Sequence, residues 1–494
     1  MLRQPAAEYF NLNVDMNRYF LQSLFVLFLS AAVGKGYAQG YSISVKLTPV
    51  KNEILYLGYY YGNKKALADS ALVNEQSVAT FKGDTALPGG IYFVVSAQKE
   101  ILFELLIDDD QDFSIEANRA SIQQSVRFSG SKINEQFQQY AAFSATTGRE
   151  INNLKETAEK AQDPQEAETM NAIARSLTQK LQAYRDSIID ADPEGFLSLL
   201  FKAMKEPQVP PASMHPGGKY DSAFAFNVYK QAYWNGISFD DARLLRTPFF
   251  EAKLEKYYRD LVNPDPDSVI AEIDYMLLYA RSAPEMFQFL IVHFVQKYVN
   301  PQYMGQDAVF VHLFEKYINT GMTPFFTSNY RDYLDKRAYS LMANLIGQPA
   351  ANLDMVTLAG TSTPLYNVKA DYTVVVFWDP TCGHCKEVLP KVDSIYNAKW
   401  KNEGVKIYAV KVDGPNTEWT KFINDNKLQH WTHVYQTPEQ ASLEEKAGRP
   451  NFRQLYDVYM TPALYLLDKD KRIIAKKLSY LQLDDVINLK KNSK

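Results

Sequence analysis

Three kinds of patterning follow one another along the chain. From about Tyr41 to Gly130, short apolar and polar alternations run over Tyr41 to Leu47, Ile54 to Tyr61, Ile91 to Ser96, Ile101 to Ile107 and Phe113 to Ala117. Lys51-Asn52, Gly62-Asn63, Gly89-Gly90 and Asp108-Asp109-Asp110 separate them. Short period-two runs broken by turn residues predict a small antiparallel β sandwich or barrel. From about Ile133 to Leu345 the period becomes helical. Asp163 and Glu166 around Pro164 make a capping-box signature, behind which Met170, Ile173, Leu177, Leu181, Tyr184 and Ile188 share one face. Further helices are predicted from Thr247-Pro248 and from Pro284, and over Ser268 to Ala280, Asp307 to Ile318 and Asn329 to Leu345. The Pro-rich stretch Pro207 to Gly218 is a long loop inside this region, and no fixed-period repeat supports a solenoid.

The third pattern begins near Gly347-Gln348-Pro349. Apolar runs at Tyr372 to Phe377, Val405 to Val412 and Ala463 to Leu467 alternate with helical stretches at Cys382 to Tyr396, Glu418 to Asn426 and Arg453 to Val458. Such alternation predicts an α/β domain with a partly parallel sheet. The turn Asp468-Lys469-Asp470-Lys471 joins its last two strands as an antiparallel hairpin reaching Ile473 to Leu478, and a helix from about Leu483 to Leu489 closes the chain. The expected organisation is therefore a leader over 1–39, a β-rich domain over 40–132, an α-helical domain over 133–345 and an α/β domain over 346–494. For 494 residues several domains are expected, since single cores seldom grow past about 250 to 300 residues.

The start of the chain bears on compartment. Arg18, the apolar run Phe20 to Val33 and the small-residue stretch Gly36-Tyr37-Ala38 have the layout of a secretory signal peptide cut near Ala38. Glu8 and Asp15 do not suit a positively charged leader, so translation is expected to begin at Met16. The apolar run of about fourteen residues is shorter than the roughly 20 a spanning helix needs, so no stable membrane span is expected once the leader is removed. A net charge of -4 gives no basic footprint for nucleic acid, and the 46% hydrophobic content supports large cores. The acidic run Asp108, Asp109, Asp110 and Asp112 lacks the Gly and terminal Glu of a calcium loop and reads as a solvated turn. Met214-His215 reads as solvated rather than as a metal-ligand pair, and His293 and His312 as hydrogen-bonded core or boundary residues.

The chemistry sits in one short segment. The chain's only two cysteines lie in Trp378-Asp379-Pro380-Thr381-Cys382-Gly383-His384-Cys385, between an apolar β run and a helix. Two thiols confined to one Cys-x-x-Cys read as a dithiol that cycles with a disulfide. If Cys382 opens the helix, its sulfur lies among unpaired N–H groups at the positive end of the helix dipole, where a thiolate is stabilised. His384 can add positive charge or a hydrogen bond, making Cys382 the attacking thiol and Cys385, one turn inward, the buried resolving thiol. Asp379, Glu387 and Asp413 are the candidate proton acceptors for the buried thiol, and the sequence does not choose among them. The rival reading is zinc held by the two cysteines with His430 and His433. That His-x-x-His spacing is loose outside a known fold, and a strand entry is preferred, with no metal and no cofactor.

With the β run into the motif, Cys382-Gly383-His384-Cys385, Pro390 inside the following helix, Thr461-Pro462 before the next strand and the closing hairpin, residues from about Gly347 onward resemble a known class. It is the thioredoxin-fold domain of the TlpA/ResA-like exported thiol-disulfide oxidoreductases. The preceding regions resemble envelope domains of unknown function. The resemblance implies that Cys382, Cys385, His384 and Gly383 form the catalytic motif. It also implies that Thr461, Pro462 and Trp378 face the substrate, and that the Thr461-Pro462 bond is cis. Partners would be protein thiols and disulfides in the periplasm or cell envelope of a Gram-negative bacterium, with a membrane electron donor recycling the dithiol in reductase chemistry such as cytochrome c maturation. The alternative is an envelope binding or scaffold protein, whose first 300 or so residues recognise a protein or glycan and whose dithiol is secondary.

Overall fold

The computed structural model describes residues 40–492, so the expectations for the leader and for Met16 fall outside the described residues. Two compact units are present, one formed by residues up to Val262 with Met276–Phe289, the other by Asn263–Tyr275 with Leu290 onward.

The first unit begins with β1 (Tyr41–Thr48), β2 (Ile54–Tyr61), β3 (Lys64–Leu72), β4 (Val78–Gly83), β5 (Gly90–Val95), β6 (Ile101–Ile107), β7 (Asp112–Asn118) and β8 (Arg127–Ser129). They form two four-stranded sheets, ordered β4-β1-β7-β8 and β3-β2-β5-β6. Because alternate residues of a strand face one side, Ile43, Val45 and Ile115 from one sheet share a core with Leu57, Val94 and Leu105 from the other. One pairing departs from an antiparallel sandwich: β1 and β7 run parallel, from Ser42↔Asp112 to Thr48↔Asn118. The acidic run is a turn in which the Gln111 amide donates to Leu87 O and Asp108 O, while Arg243 reaches the Asp108 carboxylate at 3.3 Å.

Two long helices follow, Lys132–Lys160 and Pro164–Ala191. Asp163 caps the second by accepting from Gln165 N at 2.9 Å, but the expected reciprocal bond from Glu166 is not formed. Its predicted apolar face is only half-covered, with Ile173 45% exposed and Ala174 the buried position. In the Pro-rich loop His215 is buried rather than solvated: its Nδ1 accepts from Asp221 N at 3.0 Å and its Nε2 lies 2.9 Å from Pro210 O, so the imidazole staples the loop. Helices Phe196–Met204, Ser222–Ala232 and Phe250–Asp260 complete this part, and the residues of Pro266–Ala280 and Pro284–Tyr298 are divided between the units.

The second unit continues with helices Asp307–Leu313 and Ser328–Met342 before a five-stranded sheet. Its strands are β9 (Tyr372–Trp378), β10 (Val405–Lys411), β11 (Thr432–Tyr435), β12 (Ala463–Asp468) and β13 (Ile473–Lys476), ordered β11-β10-β9-β12-β13. The first three run parallel, and β12 and β13 are antiparallel additions. Every residue of β9 is buried, because Val374, Val376 and Trp378 enter the core under helix Gly383–Ala398 while Val375 and Phe377 enter the core on the opposite face. That explains the unbroken apolar run preceding the cysteines.

A polar seam fastens the helices to this sheet. Lys476 Nζ donates to Asn344 O and Oδ1, both at 2.6 Å, and pairs with Asp307. Arg337 and Lys477 both bind the Asp457 carboxylate, and Ser340 Oγ donates to Gln454 O at 2.6 Å. Buried charges of both signs are matched here, as burial requires. Among the described residues no helix is long and apolar enough to cross a membrane.

Candidate functional site

The apolar run of β9 carries the chain through the core to Trp378, after which Asp379 makes the turn. Its Oδ1 accepts from Thr381 N and Thr381 Oγ1, each at 2.7 Å, and its carbonyl accepts from Cys382 N at 3.2 Å. The carboxylate is thus occupied in shaping the loop. Cys382 is the N-cap of helix Gly383–Ala398, with extended backbone angles (φ -72°, ψ 123°), and Cys385 lies one turn in. Pro390 sits inside this helix, where it removes one backbone donor.

The two thiols occupy unlike surroundings. Cys382 is partly exposed and Cys385 is fully buried. Burial alone would raise the Cys382 thiol, but the backbone N–H groups of Cys385 and His384, with Thr461 and the Cys385 thiol, outweigh it and hold Cys382 below its ordinary value. Burial dominates at Cys385 and pushes it up to about 12. The Cys382 Sγ donates to Thr461 O at 3.5 Å, and the Thr461–Pro462 peptide bond is cis. Cys382, Gly383, His384, Cys385, Thr461 and Pro462 therefore converge. A Cβ built on Gly383 meets nothing within 4 Å, so this glycine answers no packing demand and leaves the surface beside Cys382 low.

Other expected residues take different places. Trp378, expected on the substrate face, is fully buried and forms the floor under the motif, with its ring 5.2 Å from Phe422; as the last residue of a strand buried on both sides it cannot reach a substrate. The His384 imidazole is 69% exposed with Nδ1 4.0 Å from Glu387 Oε2, so what His384 gives the thiol is its backbone N–H. None of the three candidate acceptors brings its carboxylate to the Cys385 thiol: Asp379 meets it only through its backbone N–H while its carboxylate holds the turn, Glu387 is exposed and Asp413 pairs with Arg453. His430 and His433 are committed elsewhere, at 2.8 Å to Asp393 Oδ1 and 2.8 Å to Leu428 O respectively. Among the described residues no cluster of three or more His, Cys, Asp and Glu is arranged to hold a metal.

Three participants were not picked out from sequence. Tyr459 and Met460, directly before Thr461, are 72% and 67% exposed. Gly414 adopts φ 83° under the motif loop, where a Cβ would come within 2.9 Å of Asp379 Oδ1 and Pro380 Cγ. Asp413-Gly414-Pro415 is a strong turn signal that could have marked it. Exposure of Tyr459 and Met460 has no such local signal, because large apolar residues before a strand ordinarily pack inward.

Residues 346–476 match the AhpC/TSA family. A domain of a possible thiol-disulfide isomerase from Cytophaga hutchinsonii is 38% identical over 30% of this chain and 95% of its own, with a TM-score of 0.26. A thioredoxin-like protein from Bacteroides caccae is 19% identical over 58% of this chain and 99% of its own, with a TM-score of 0.44. A thiol:disulfide interchange protein from Bacteroides sp. is 26% identical over 30% of this chain and 93% of its own, with a TM-score of 0.26. No curated protein matches the chain significantly.

Proposed function

From the premise that residues 346–476 form a thioredoxin-like domain of the thiol-disulfide oxidoreductase class, we propose that Cys382 and Cys385 exchange a dithiol for a disulfide with protein substrates, the chain acting as a reductase in the cell envelope. The observation that carries this reading is the contrast between the two sulfurs: a partly exposed thiol held low at a helix N-terminus, and a buried one held high a turn away.

The steps follow from that contrast. Cys382 thiolate attacks one sulfur of a substrate disulfide; that S–S bond breaks, and the departing substrate sulfur takes up a proton. Cys385 gives up its proton and attacks Cys382 Sγ, closing the intramolecular disulfide and releasing the second substrate thiol. Two electrons pass to the substrate, and a membrane electron donor returns them. The backbone of Thr461, beside Cys382, pairs with an extended substrate segment, while Tyr459 and Met460 cover its apolar side chains. Secretion through the leader ending near Ala38 places the chain in the periplasm, with the β-rich region 40–132 and helical region 133–345 preceding the catalytic domain. Reduction of apocytochrome c thiols is one process of this type.

Insulin reduction by wild type and Cys382→Ser tests the reading. Loss of activity in the variant is expected, and activity unaffected by the substitution overturns it. The reduction potential gives direction: a value near roughly -270 mV fits a reductase, and one near roughly -120 to -180 mV an oxidase or isomerase.

A further inference from the structure

At the end of the C-terminal sheet away from the dithiol, where β9 and β10 begin and β12 turns into β13, four lysines converge. Lys369, Lys406, Lys469 and Lys471 line an open cavity of about 550 Å³. The seven residues of β9, at about 3.3 Å each, put it roughly 20 Å from Cys382.

Lys471 forms its floor. It ends the turn that begins at Asp468 and takes a left-handed φ of 61°; its N–H donates to Asp468 O at 3.0 Å and its carbonyl accepts from Ala350 N at 2.9 Å. Pinned at both ends, the residue is only 4% exposed, and its Nζ donates to Thr373 Oγ1 at 3.0 Å. The other buried lysine among the described residues, Lys476, has a carboxylate, Asp307, against it. Lys471 has none within ion-pair distance. The nearest acid of its own turn, Asp468, spends its Oδ1 on the N–H groups of Asp470 and Arg472. Lys369, Lys406 and Lys469 are exposed, and among the described residues none makes an ion pair. Burial and the neighbouring Lys369 push the Lys471 ammonium below its ordinary value and outweigh the opposing pull of Asp468 and Asp470.

Burying an ammonium against a hydroxyl alone is costly, and a bound anion would offset it. The cavity wall also carries Asp371 and Asp470, so four positive side chains face two negative ones, an excess of two. A phosphate monoester carries about -1.5 to -2 charge at neutral pH and matches that excess. Tyr366 and Val368 give the cavity an apolar side, and its volume falls within the roughly 300–1,000 Å³ of small-molecule sites. We propose that this cavity binds the phosphate of an organic phosphomonoester, with Lys471 beneath the phosphate, Lys369, Lys406 and Lys469 around it, and Tyr366 and Val368 against the organic portion. The phosphate can belong to a soluble molecule or to a lipid headgroup.

The test is titration of the full chain with phenyl phosphate, followed by amide chemical shifts or calorimetry, with vesicles of phosphatidylcholine with and without phosphatidic acid as a second arm. Saturable phenyl phosphate binding with Kd of about 1 mM or tighter is expected. It should be lost in Lys471→Met, weakened at least tenfold in Lys406→Glu/Lys469→Glu, and weakened by salt. Binding only to vesicles containing phosphatidic acid, with the same variant pattern, assigns the phosphate to a lipid. Absence of saturation in both arms, or binding unchanged in the exposed double variant, overturns the proposal. Should Lys471→Met fail to fold, the double variant decides. Neither variant touches the dithiol, so insulin reduction should stay at the wild-type level, and failure here is separable from failure of the oxidoreductase reading.

Discussion

Selective alkylation of the reduced protein probes the asymmetry of the two thiols. Burial pushes Cys385 up to about 12, whereas Cys382 lies below its ordinary 9. A gap of at least about three pH units makes the Cys382 thiolate about a thousand times more populated at neutral pH. Intrinsic nucleophilicity falls as pKa falls, with a Brønsted coefficient of about 0.4–0.5, which returns a factor of roughly 20 to Cys385. Cys382 should therefore react at least about 30-fold faster, and the full burial of Cys385 widens that margin by excluding reagent. The assay is a time course with limiting iodoacetamide near pH 7, quenched and resolved by peptide mass spectrometry. Comparable rates at the two sulfurs, or faster modification of Cys385, would refute the assigned roles.

Two further outcomes concern stability. Burial lowers His433 to about 4, while in the unfolded chain it takes its proton near 6.5; in that window the unfolded state binds more protons, so stability falls as pH is lowered from 6.5 to 4. The loss is worth about 3 kcal/mol, and urea midpoints across this range should fall less in His433→Leu than in wild type; equal slopes would contradict the account. The Asp457 carboxylate is 1% exposed and held by Arg337 and Lys477, so Arg337→Met should cost about 2–3 kcal/mol in denaturant unfolding, less than a fully broken buried pair because Lys477 remains. Adding Asp457→Asn should recover part of that loss, and an additive double variant would show that the two residues are not coupled.

The sequence announced those features whose cause is local. A strand buried on both faces must be apolar throughout, so β9 was visible, and the cysteines at its end were visible because they are the chain's only two. Non-local causes left no mark. Strand β3 was missed because Leu67 and Leu72 are exposed and its small and charged residues carry little alternation. The parallel pairing of β1 with β7 joins residues about seventy positions apart, a choice that no turn signal encodes. His215 looked solvated because its partners, Pro210 O and Asp221 N, are backbone groups brought together by the loop's path. The resemblance implies that Trp378 faces the substrate, yet strand alternation sends its ring inward beside Val376 and Val374. Nothing local marks Lys471 and Lys476 as buried, since only tertiary packing decides it.

The central claim is that Cys382 attacks a partner disulfide and Cys385 resolves the product. The most direct measurement is trapping of the covalent intermediate, using Cys385→Ser and Cys382→Ser variants incubated with a disulfide-bonded protein and resolved without reductant. The account predicts a mixed disulfide that accumulates with Cys385→Ser, is linked through Cys382, and disappears on reduction. Accumulation through Cys385 in the Cys382→Ser variant, or no covalent product with either, would contradict it.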